Sequence, residues 1–308
     1  NDLPVATIGT LGVKTKKIKQ HNLTSPDIIS LHKELNDLKK KKIENVLLEA
    51  SSHGLKQGRL NGINFKGAIF TNFSQDHMDY HKTMKNYLNS KLILIKNLLK
   101  EKSYLITDKT IPEYKLIKKI ANKKKIKKVL INLFENKYSL SNFKLIGDFQ
   151  KKNLLMAIKA CELVGVNKKK INKSINKLKS VKGRLELVKI FPDQTKVFID
   201  FAHTPDAIET AIKSLKNFYK KNITIVFGCG GERDKSKRKK IGKIVNRLCN
   251  KIFVTDDNPR REKPSKIRRE IIKNINKEKV TEIGNRTHAI QTAINHSKSN
   301  EIILIAGK

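Results

Sequence analysis

Short apolar runs alternate with amphipathic stretches along most of the chain. Strand-like runs cover residues 43–48 and 67–73, and shorter candidates lie at 104–107 and 129–132. Helical patterns lie between them, as at 27–39, where apolar residues recur on one face. Strands that alternate with helices are typical of a parallel sheet covered on both faces. The first half therefore predicts an α/β domain with a mostly parallel sheet.

Residues 180–184, Ser-Val-Lys-Gly-Arg, interrupt this alternation after helical patterns at 153–164 and 167–178. The alternation then restarts. Strand candidates lie at 197–201, 223–227, 251–255 and 302–305. Helical patterns cover 205–218, the stretch from the glycine-containing loop after 223–227 up to residue 248, and about 265–275. We therefore expect two domains, 1–181 and 182–308, the second with a Rossmann-like, doubly wound sheet.

The segment that follows strand 251–255 combines two carboxylates, an amide, a proline and a guanidinium in Asp256-Asp257-Asn258-Pro259-Arg260. Proline prevents the strand from continuing, so these groups are presented together at a strand's carboxyl end, where open α/β sheets bind ligands. The acids suit an ammonium group and the arginine suits a carboxylate. An ordinary solvated strand exit remains the alternative.

Two other loops follow strands and precede helices. The glycine loop, residues 228–234, allows close backbone approach to a ligand at a helix N-terminus, although it is neither a Walker A nor a clean GxGxxG sequence. Residues 200–206 place Thr204 as a candidate N-cap and Pro205 near the first helical position, so capping alone could account for much of their polarity.

Glu49 and the cluster Asp76 to His81 follow two successive strand candidates. If those strands are neighbours, their ends converge, and carboxylate and imidazole could hold a divalent ion. His77 and His81 have the i,i+4 spacing of a zinc pair, but no third soft ligand stands nearby. Structural, hydrogen-bonded histidines are the alternative.

Lys91 lies on the apolar stripe of a helical pattern over 85–100, between Tyr87 and Ile95. A lysine that faces inward must extend its amine to solvent, find a partner or lose its charge.

The chain has 308 residues and a net charge of +39, which suggests nucleic acid as a partner. The excess is mostly lysine, in runs such as 39–42, 123–128, 168–170 and 237–240, and no RNA-recognition motif, zinc finger or tryptophan accompanies it. We interpret these runs as solvated faces and expect neither nucleic acid nor membrane as a partner. The three cysteines form no CxxC pair, and no apolar run approaches the roughly 18 residues of a membrane span, so we expect a cytoplasmic protein.

Eight segments, taken in order, resemble the motifs of the Mur ligase family and span nearly the whole chain. They are 8–12 (IGTLG), 23–27 (LTSPD), 49–55 (EASSHGL), 71–81 (TNFSQDHMDYH), 183–186 (GRLE), 200–206 (DFAHTPD), 227–235 (FGCGGERDK) and 256–260 (DDNPR). The resemblance implies an ATPase-like central domain and an ATP- and Mg²⁺-dependent ligase of peptidoglycan synthesis. It implies an acyl-phosphate intermediate, a UDP-MurNAc-dipeptide acceptor and meso-diaminopimelate as the added amino acid. A lysine-adding or folylpolyglutamate-forming sibling and a basic nucleic-acid-binding module are the alternatives, and we expect a monomer.

The resemblance also implies roles for residues. Glu49 and His77 match magnesium ligands, and Lys91 matches a carbamylated lysine that supports a second magnesium; these three are the expected catalytic residues. Asn153, Arg184 and His203 match nucleotide contacts. The UDP-sugar contacts are Thr24, Ser25, Ser51, Gln57 and Arg59, and the diaminopimelate contacts are Arg233, Asp257, Asn258, Pro259, Arg260 and Gly307.

The family's glycine-rich ATP loop is expected just before Ile8, and a Gly-His-Glu continuation is expected after Lys308. Neither is in this sequence. We therefore expect an interior fragment of the ligase that is inactive alone.

Overall fold

The computed structural model describes residues 4–15, 18–19, 23–134, 138, 140, 143 and 145–307, which form two compact units. Unit 1 comprises Asn1–Phe73 and His81–Ile131, and unit 2 comprises Ser74–Tyr80 and Asn132–Lys308. The domain boundary at 181/182 stays a prediction.

Unit 1 contains two sheets. A four-stranded sheet has the order β3-β2-β1-β4, in which β1 and β4 are parallel and β2 is antiparallel to both of its neighbours. A three-stranded parallel sheet has the order β5-β6-β7. The strands are β1 (Val5–Gly9), β2 (Gly12–Lys14), β3 (Ile18–Lys19), β4 (Asn45–Leu48), β5 (Phe65–Phe70), β6 (Leu99–Asp108) and β7 (Lys127–Ile131).

The helices of unit 1 cover these sheets with their apolar faces. The described helices of the chain up to Ile131 are α1 (Ile28–Lys40), α2 (Ser52–Lys56), α3 (Met78–His81), α4 (Met84–Ile93) and α5 (Tyr114–Lys123); α3 belongs to unit 2 except for His81. Helix α1 starts at Asp27, whose carboxylate accepts a hydrogen bond from Ser30 N at 2.9 Å. Its Leu31 and Leu38 are buried against β1 and its neighbours.

The predicted helix over 85–100 is wrong at its C-terminal end. Helix α4 stops at Ile93, one π-helical turn covers Leu94–Leu98, and β6 begins at Leu99. Leu92, Ile95 and Leu99 are all buried in one apolar cluster, so their burial fits either a helix or a strand entry. Periodicity alone does not separate these cases.

The premise that the strands before Glu49 and before Asp76 are neighbours is also wrong. Strand β4 pairs with β1, whereas β5 pairs with β6 in a separate sheet. Sequence order predicts strand adjacency only part of the time.

Unit 2 is built on a six-stranded sheet of order β12-β11-β10-β13-β9-β8, parallel except for β8. The strands are β8 (Glu186–Ile190), β9 (Lys196–Asp200), β10 (Ile223–Phe227), β11 (Lys251–Val254), β12 (Val280–Glu282) and β13 (Ile302–Ala306). The helices are α6 (Asp148–Leu163), α7 (Lys168–Ile175), α8 (Pro205–Tyr219), α9 (Ser236–Leu248), α10 (Pro264–Ile272) and α11 (Arg286–Asn295).

Both faces of this sheet are covered, as a doubly wound fold requires. Every residue of β10 and β13 is buried. Helices α8, α9 and α10 pack on one face and α11 on the other. The predicted α/β class with parallel sheets is confirmed. The parallel strands also bring the loops after Asp200, Phe227, Val254 and Ala306 to one edge. No helix in the described ranges is long and apolar enough to cross a membrane.

Candidate active-site loops

The glycine loop after β10 and the segment after β11 are joined backbone to backbone. Gly231 N donates to Asn258 O at 2.9 Å. A Cβ on Gly231 would lie 1.9 Å from Pro259 O, and one on Gly228 would lie 2.5 Å from Thr255 O. The glycines are therefore required for close packing of two neighbouring strand ends, in addition to any ligand.

Arg260, Asp257 and Gly307 come together at this edge. Arg260 has a left-handed φ of 49°, and its Nη1 donates to Gly231 O at 2.7 Å. Asp257 Oδ1 accepts Asn258 N at 2.6 Å, and a Cβ on Gly307 would lie 3.5 Å from Asp257 Oδ2. The segment thus presents the Asp257 carboxylate beside Gly307, which has no side chain, and the Arg260 guanidinium beside the glycine loop.

Only one of the two adjacent acids belongs to this group. Asp256 forms an ion pair with Arg268, and the same arginine binds Glu282 at 2.7 Å. The interpretation that both acids present themselves to an ammonium is therefore corrected: Asp256 fastens the loop to α10, and Asp257 is the candidate ligand.

Arg233 pairs with an acid from the segment Ser74–Tyr80, which belongs to the same unit. Its Nη1 donates to Asp79 Oδ2 at 2.6 Å. Gln75 of that segment donates to Asp234 and Ser236 at 2.6 and 2.9 Å.

His77 and His203 both face the carboxylate of Asp76. Their Nε2 atoms lie 3.4 and 3.6 Å from Asp76 Oδ2. Burial disfavours the charged carboxylate, but the hydrogen bond with His203 and the nearby imidazoles outweigh it, so the pKa of Asp76 lies well below its usual value. The hydrogen bond with Asp76 raises the pKa of His203 despite partial burial. His77 also has a left-handed φ of 56°.

The turn at Gly183 holds Arg184, one of the predicted nucleotide residues, close to the loop that contains His203. Gly183 O accepts Phe201 N at 2.9 Å, and a Cβ on Gly183 would lie 2.6 Å from the Phe201 ring. The Arg184 guanidinium carbon lies 5.4 Å from the centroid of that ring, so Arg184 is held near the residue that precedes Ala202 and His203. Asn153 is exposed on α6.

In unit 1, small hydroxyl side chains organise the segment around Glu49. Thr10 donates from N and Oγ1 to Glu49 Oε2 at 2.9 and 2.7 Å, and Thr10 Oγ1 lies 3.1 Å from Thr24 Oγ1. The buried hydroxyl of Ser25 donates to Glu49 O at 2.8 Å and accepts Ser51 N at 3.0 Å.

Helix α2 continues this network. Ser51 caps the helix by accepting Gly54 N at 3.0 Å, and Gln57 lies at its C-terminal cap. Arg59 Nη1 donates to Ser25 O at 2.9 Å. The predicted UDP-sugar residues of unit 1 are therefore gathered around one short helix.

Lys91 is partly buried, with its Nζ 5.2 Å from the centroid of the Tyr87 ring. The Tyr87 ring also stacks on His81, with 5.0 Å between the ring centroids. His81 is buried and lies 2.9 Å from Ser52 Oγ and 3.3 Å from Ser90 Oγ. These two contacts agree with the alternative that His81 is a structural, hydrogen-bonded histidine. Both of its ring nitrogens face serine hydroxyls, so it is poorly placed to bind zinc.

Glu49 fits the role of a metal ligand by its chemistry. Its carboxylate is oriented by Thr10, and a Cβ on Gly9 would lie 2.5 Å from Glu49 Cδ, so glycine leaves room for it. Across the described residues, no group of three or more His, Cys, Asp or Glu side chains is arranged to hold a metal ion. The predicted set of Glu49, His77 and Lys91 contains only two such residues and stays a prediction.

Helix α9, which follows the glycine loop, contains in its first turn two buried charged residues that the sequence interpretation missed. The run 237–240 was interpreted as a solvated face, but Lys237 and Arg238 are buried, and only the last two lysines are exposed. Arg238 forms ion pairs with Glu262 at 2.9 Å and Glu270 at 2.7 Å. No local signal distinguishes this arginine from its lysine neighbours. By contrast, the runs 39–42 and 168–170 are exposed as predicted.

Comparison with known proteins gives the class. The model of the Mur ligase middle domain matches residues 2–161, and that of the Mur ligase glutamate ligase domain matches 183–308. The chain belongs to the Mur ligase family. Members of this family are ATP-dependent ligases, and the prediction of an enzyme of this kind is confirmed.

Particular relatives carry more specific names. The chain is 40% identical to the UDP-N-acetylmuramoyl-L-alanyl-D-glutamate–2,6-diaminopimelate ligase of Rickettsia bellii, over 98% of this chain and 69% of the relative. A solved structure of an enzyme with that name is 30% identical, with a TM-score of 0.63 over 99% of this chain and 67% of the other. A bifunctional folylpolyglutamate synthase/dihydrofolate synthase from Yersinia pestis, solved with AMPPNP and manganese, shares the fold. Its TM-score is 0.75 at 13% identity, and the match covers 99% of this chain and 80% of the other.

Proposed function

We propose that this chain takes part in adding meso-diaminopimelate to UDP-N-acetylmuramoyl-L-alanyl-D-glutamate, with ATP and Mg²⁺. The names of the relatives support this assignment. The observation that supports it best is the grouping of Asp257, Arg260 and Gly307 at one sheet edge.

The amino-acid contacts follow from the chemistry of diaminopimelate, which carries two ammonium and two carboxylate groups. Asp257 accepts an ammonium, and Arg260 and Arg233 bind carboxylates. Asn258, Pro259 and Gly307 shape the pocket. L-Lysine lacks the second carboxylate, so an arginine directed at that group separates the two amino acids.

The acceptor and nucleotide contacts are proposals of the same kind. Thr24, Ser51, Gln57 and Arg59 contact the UDP-sugar dipeptide, and the buried Ser25 supports them through its hydrogen bonds with Glu49 and Ser51. Asn153, Arg184 and His203 contact the nucleotide. A cytoplasmic location and a monomeric state stay predictions.

For the phosphoryl step, Glu49 and His77 would act as magnesium ligands. Lys91, as a carbamate, would support a second magnesium ion. When bound, the metal offsets negative charge on the transferring phosphoryl group. The D-glutamyl carboxylate attacks the γ-phosphorus of ATP, ADP leaves, and an acyl phosphate forms. The amine of diaminopimelate then attacks the acyl carbon, phosphate leaves with the bonding electrons, and the amine loses a proton.

The test is calorimetric titration of meso-diaminopimelate and L-lysine into the chain with the UDP-dipeptide and AMPPNP present. Arg260→Ala is expected to weaken diaminopimelate binding by about ten- to a hundredfold, because a charge-assisted hydrogen bond is worth about 1.5–3 kcal/mol. AMPPNP affinity is expected to stay unchanged.

Arg247→Ala is the matched control, since Arg247 pairs with Glu209 on exposed helix surfaces. Tighter binding of L-lysine than of diaminopimelate by the unaltered chain would contradict the proposed function in favour of a lysine-adding sibling.

A further inference from the structure

Arg238 is among the largest fully buried side chains of the described residues. The residue is 1% exposed. Its Nη1 donates to Glu262 Oε2 at 2.9 Å and to Glu270 Oε2 at 2.7 Å, and its Nη2 donates to Glu262 Oε1 at 2.9 Å. A buried cation of this kind is retained only where its partners are well placed.

The carboxylate of Glu262 reaches the glycine loop as well as Arg238. Its Oε1 accepts Glu232 N at 2.6 Å, while Glu262 N donates to Pro259 O at 3.0 Å. Arg238 itself donates from Nη2 to Gly230 O at 3.3 Å. The arginine and the glutamate together fasten the glycine loop to the segment 257–262.

This fastening determines where the guanidinium of Arg260 lies. Arg260 Nη1 donates to Gly231 O, and a Cβ on Gly230 would lie 3.0 Å from that nitrogen. A shift of the glycine loop therefore moves the acceptor that orients Arg260.

We infer that Arg238, acting through Glu262, is a positioning residue that aligns Arg260 for the second carboxylate of the incoming amino acid. The inference rests on the proposed function. Arg238 does not touch the amino acid; it sets the selectivity of a residue that does. The planar fork is needed because Glu262 is bound by two parallel hydrogen bonds, which the single ammonium of a lysine does not reproduce.

The experiment compares Arg238→Lys, Glu262→Gln and Glu270→Gln by titration of meso-diaminopimelate and L-lysine, with the UDP-dipeptide and AMPPNP present. Arg238→Lys and Glu262→Gln are expected to weaken diaminopimelate binding by about tenfold, a loss of about 1.4 kcal/mol. L-Lysine affinity is expected to change little, because lysine has no second carboxylate for Arg260.

Glu270→Gln is the matched control. Glu270 lies on helix α10, outside the glycine loop and the segment 257–262, and its carboxylate accepts a hydrogen bond from Arg238 Nη1 at 2.7 Å. This variant is expected to lower the thermal midpoint while it keeps the ratio of diaminopimelate to lysine affinity.

A purely structural role for Arg238 would give a different result. All three variants would then lose thermal stability with an unchanged affinity ratio, and that result would overturn the inference while the proposed function stands. Failure of the unaltered chain to prefer diaminopimelate would overturn both. Glu262→Gln keeps the test valid if Arg238→Lys does not fold, as judged by circular dichroism.

Discussion

The glycine loop in unit 2 and the segment around Glu49 in unit 1 both present polar side chains after parallel strands, yet they are stabilised by different interactions. Ion pairs of the buried Arg238 with the partly exposed Glu262 and Glu270 fasten the first. Threonine and serine hydroxyls orient the second, chiefly through Thr10 and Ser25. Removing one partner of a buried ion pair leaves an uncompensated charge, whereas removing one hydroxyl donor at an exposed site costs far less. Substitutions are therefore expected to have unequal effects in the two regions.

The largest effect is expected from Arg238→Ala. It leaves Glu262 and Glu270 without their buried partner, and we expect the free energy of unfolding to fall by about 3–5 kcal/mol. Urea unfolding followed by circular dichroism measures this change. Arg247→Ala, which breaks an exposed pair, is expected to cost about 0–1 kcal/mol. Equal losses for the two variants would refute the contrast between buried and exposed arginines.

The next effect is expected from Gly231→Ala. The new Cβ would meet the backbone oxygen of Pro259, which cannot move aside as a flexible side chain can. We expect a loss of about 1–3 kcal/mol in stability and a clear loss of diaminopimelate binding.

Gly165→Ala serves as the control for this substitution. Its φ is +84° and its Cβ would have nothing within 4 Å, so only backbone strain of roughly 1–2 kcal/mol is added. Diaminopimelate binding should survive in this variant, and parallel loss of binding in both glycine variants would argue against a specific contact between the loops.

The dependence of stability on pH sharpens the comparison further. The hydrogen bond from Arg238 lowers the pKa of Glu262 to about 2 from 4.5. A depressed carboxyl pKa stabilises the folded state above the unfolded pKa, and this contribution is lost as pH falls from about 4.5 towards 2. The stability difference between the unaltered chain and Glu262→Gln should therefore shrink over that window in urea titrations. A difference that is constant from pH 6 to pH 3 would contradict the ion pair.

The smallest effect is expected in unit 1 from Thr10→Val. The substitution keeps the shape of the side chain and the bond from Thr10 N, and it removes the hydroxyl that donates to Glu49 and contacts Thr24 Oγ1. We expect a loss of about 0.5–1.5 kcal/mol. Thr7→Val on strand β1, which ends just before Thr10, is also an exposed position; it is the control and should be close to neutral. A loss from Thr10→Val as large as that from Arg238→Ala would remove the distinction between the regions.

Local patterns predicted much of the fold because its strands are buried and end sharply. Strand β10 has the predicted bounds, and the helical pattern predicted over 27–39 corresponds to helix α1, Ile28–Lys40. The loops after β10 and β11 were found because charged and glycine residues follow apolar runs.

Long-range pairing could not be predicted in the same way. Arg238 is part of a basic run in sequence, and its burial depends on Glu262 and Glu270, which lie 24 and 32 residues away. The different roles of Asp256 and Asp257 likewise depend on Arg268. The assignment of β4 and β5 to separate sheets is a further property of tertiary pairing that apolar periodicity does not encode.

A crystal structure of this chain with meso-diaminopimelate bound is the most direct measurement. The account predicts one ligand carboxylate at about 2.7–2.9 Å from the guanidinium nitrogens of Arg260 and an ammonium group on Asp257. Density for the amino acid elsewhere, with Arg260 still bound only to the Gly231 carbonyl, would contradict it.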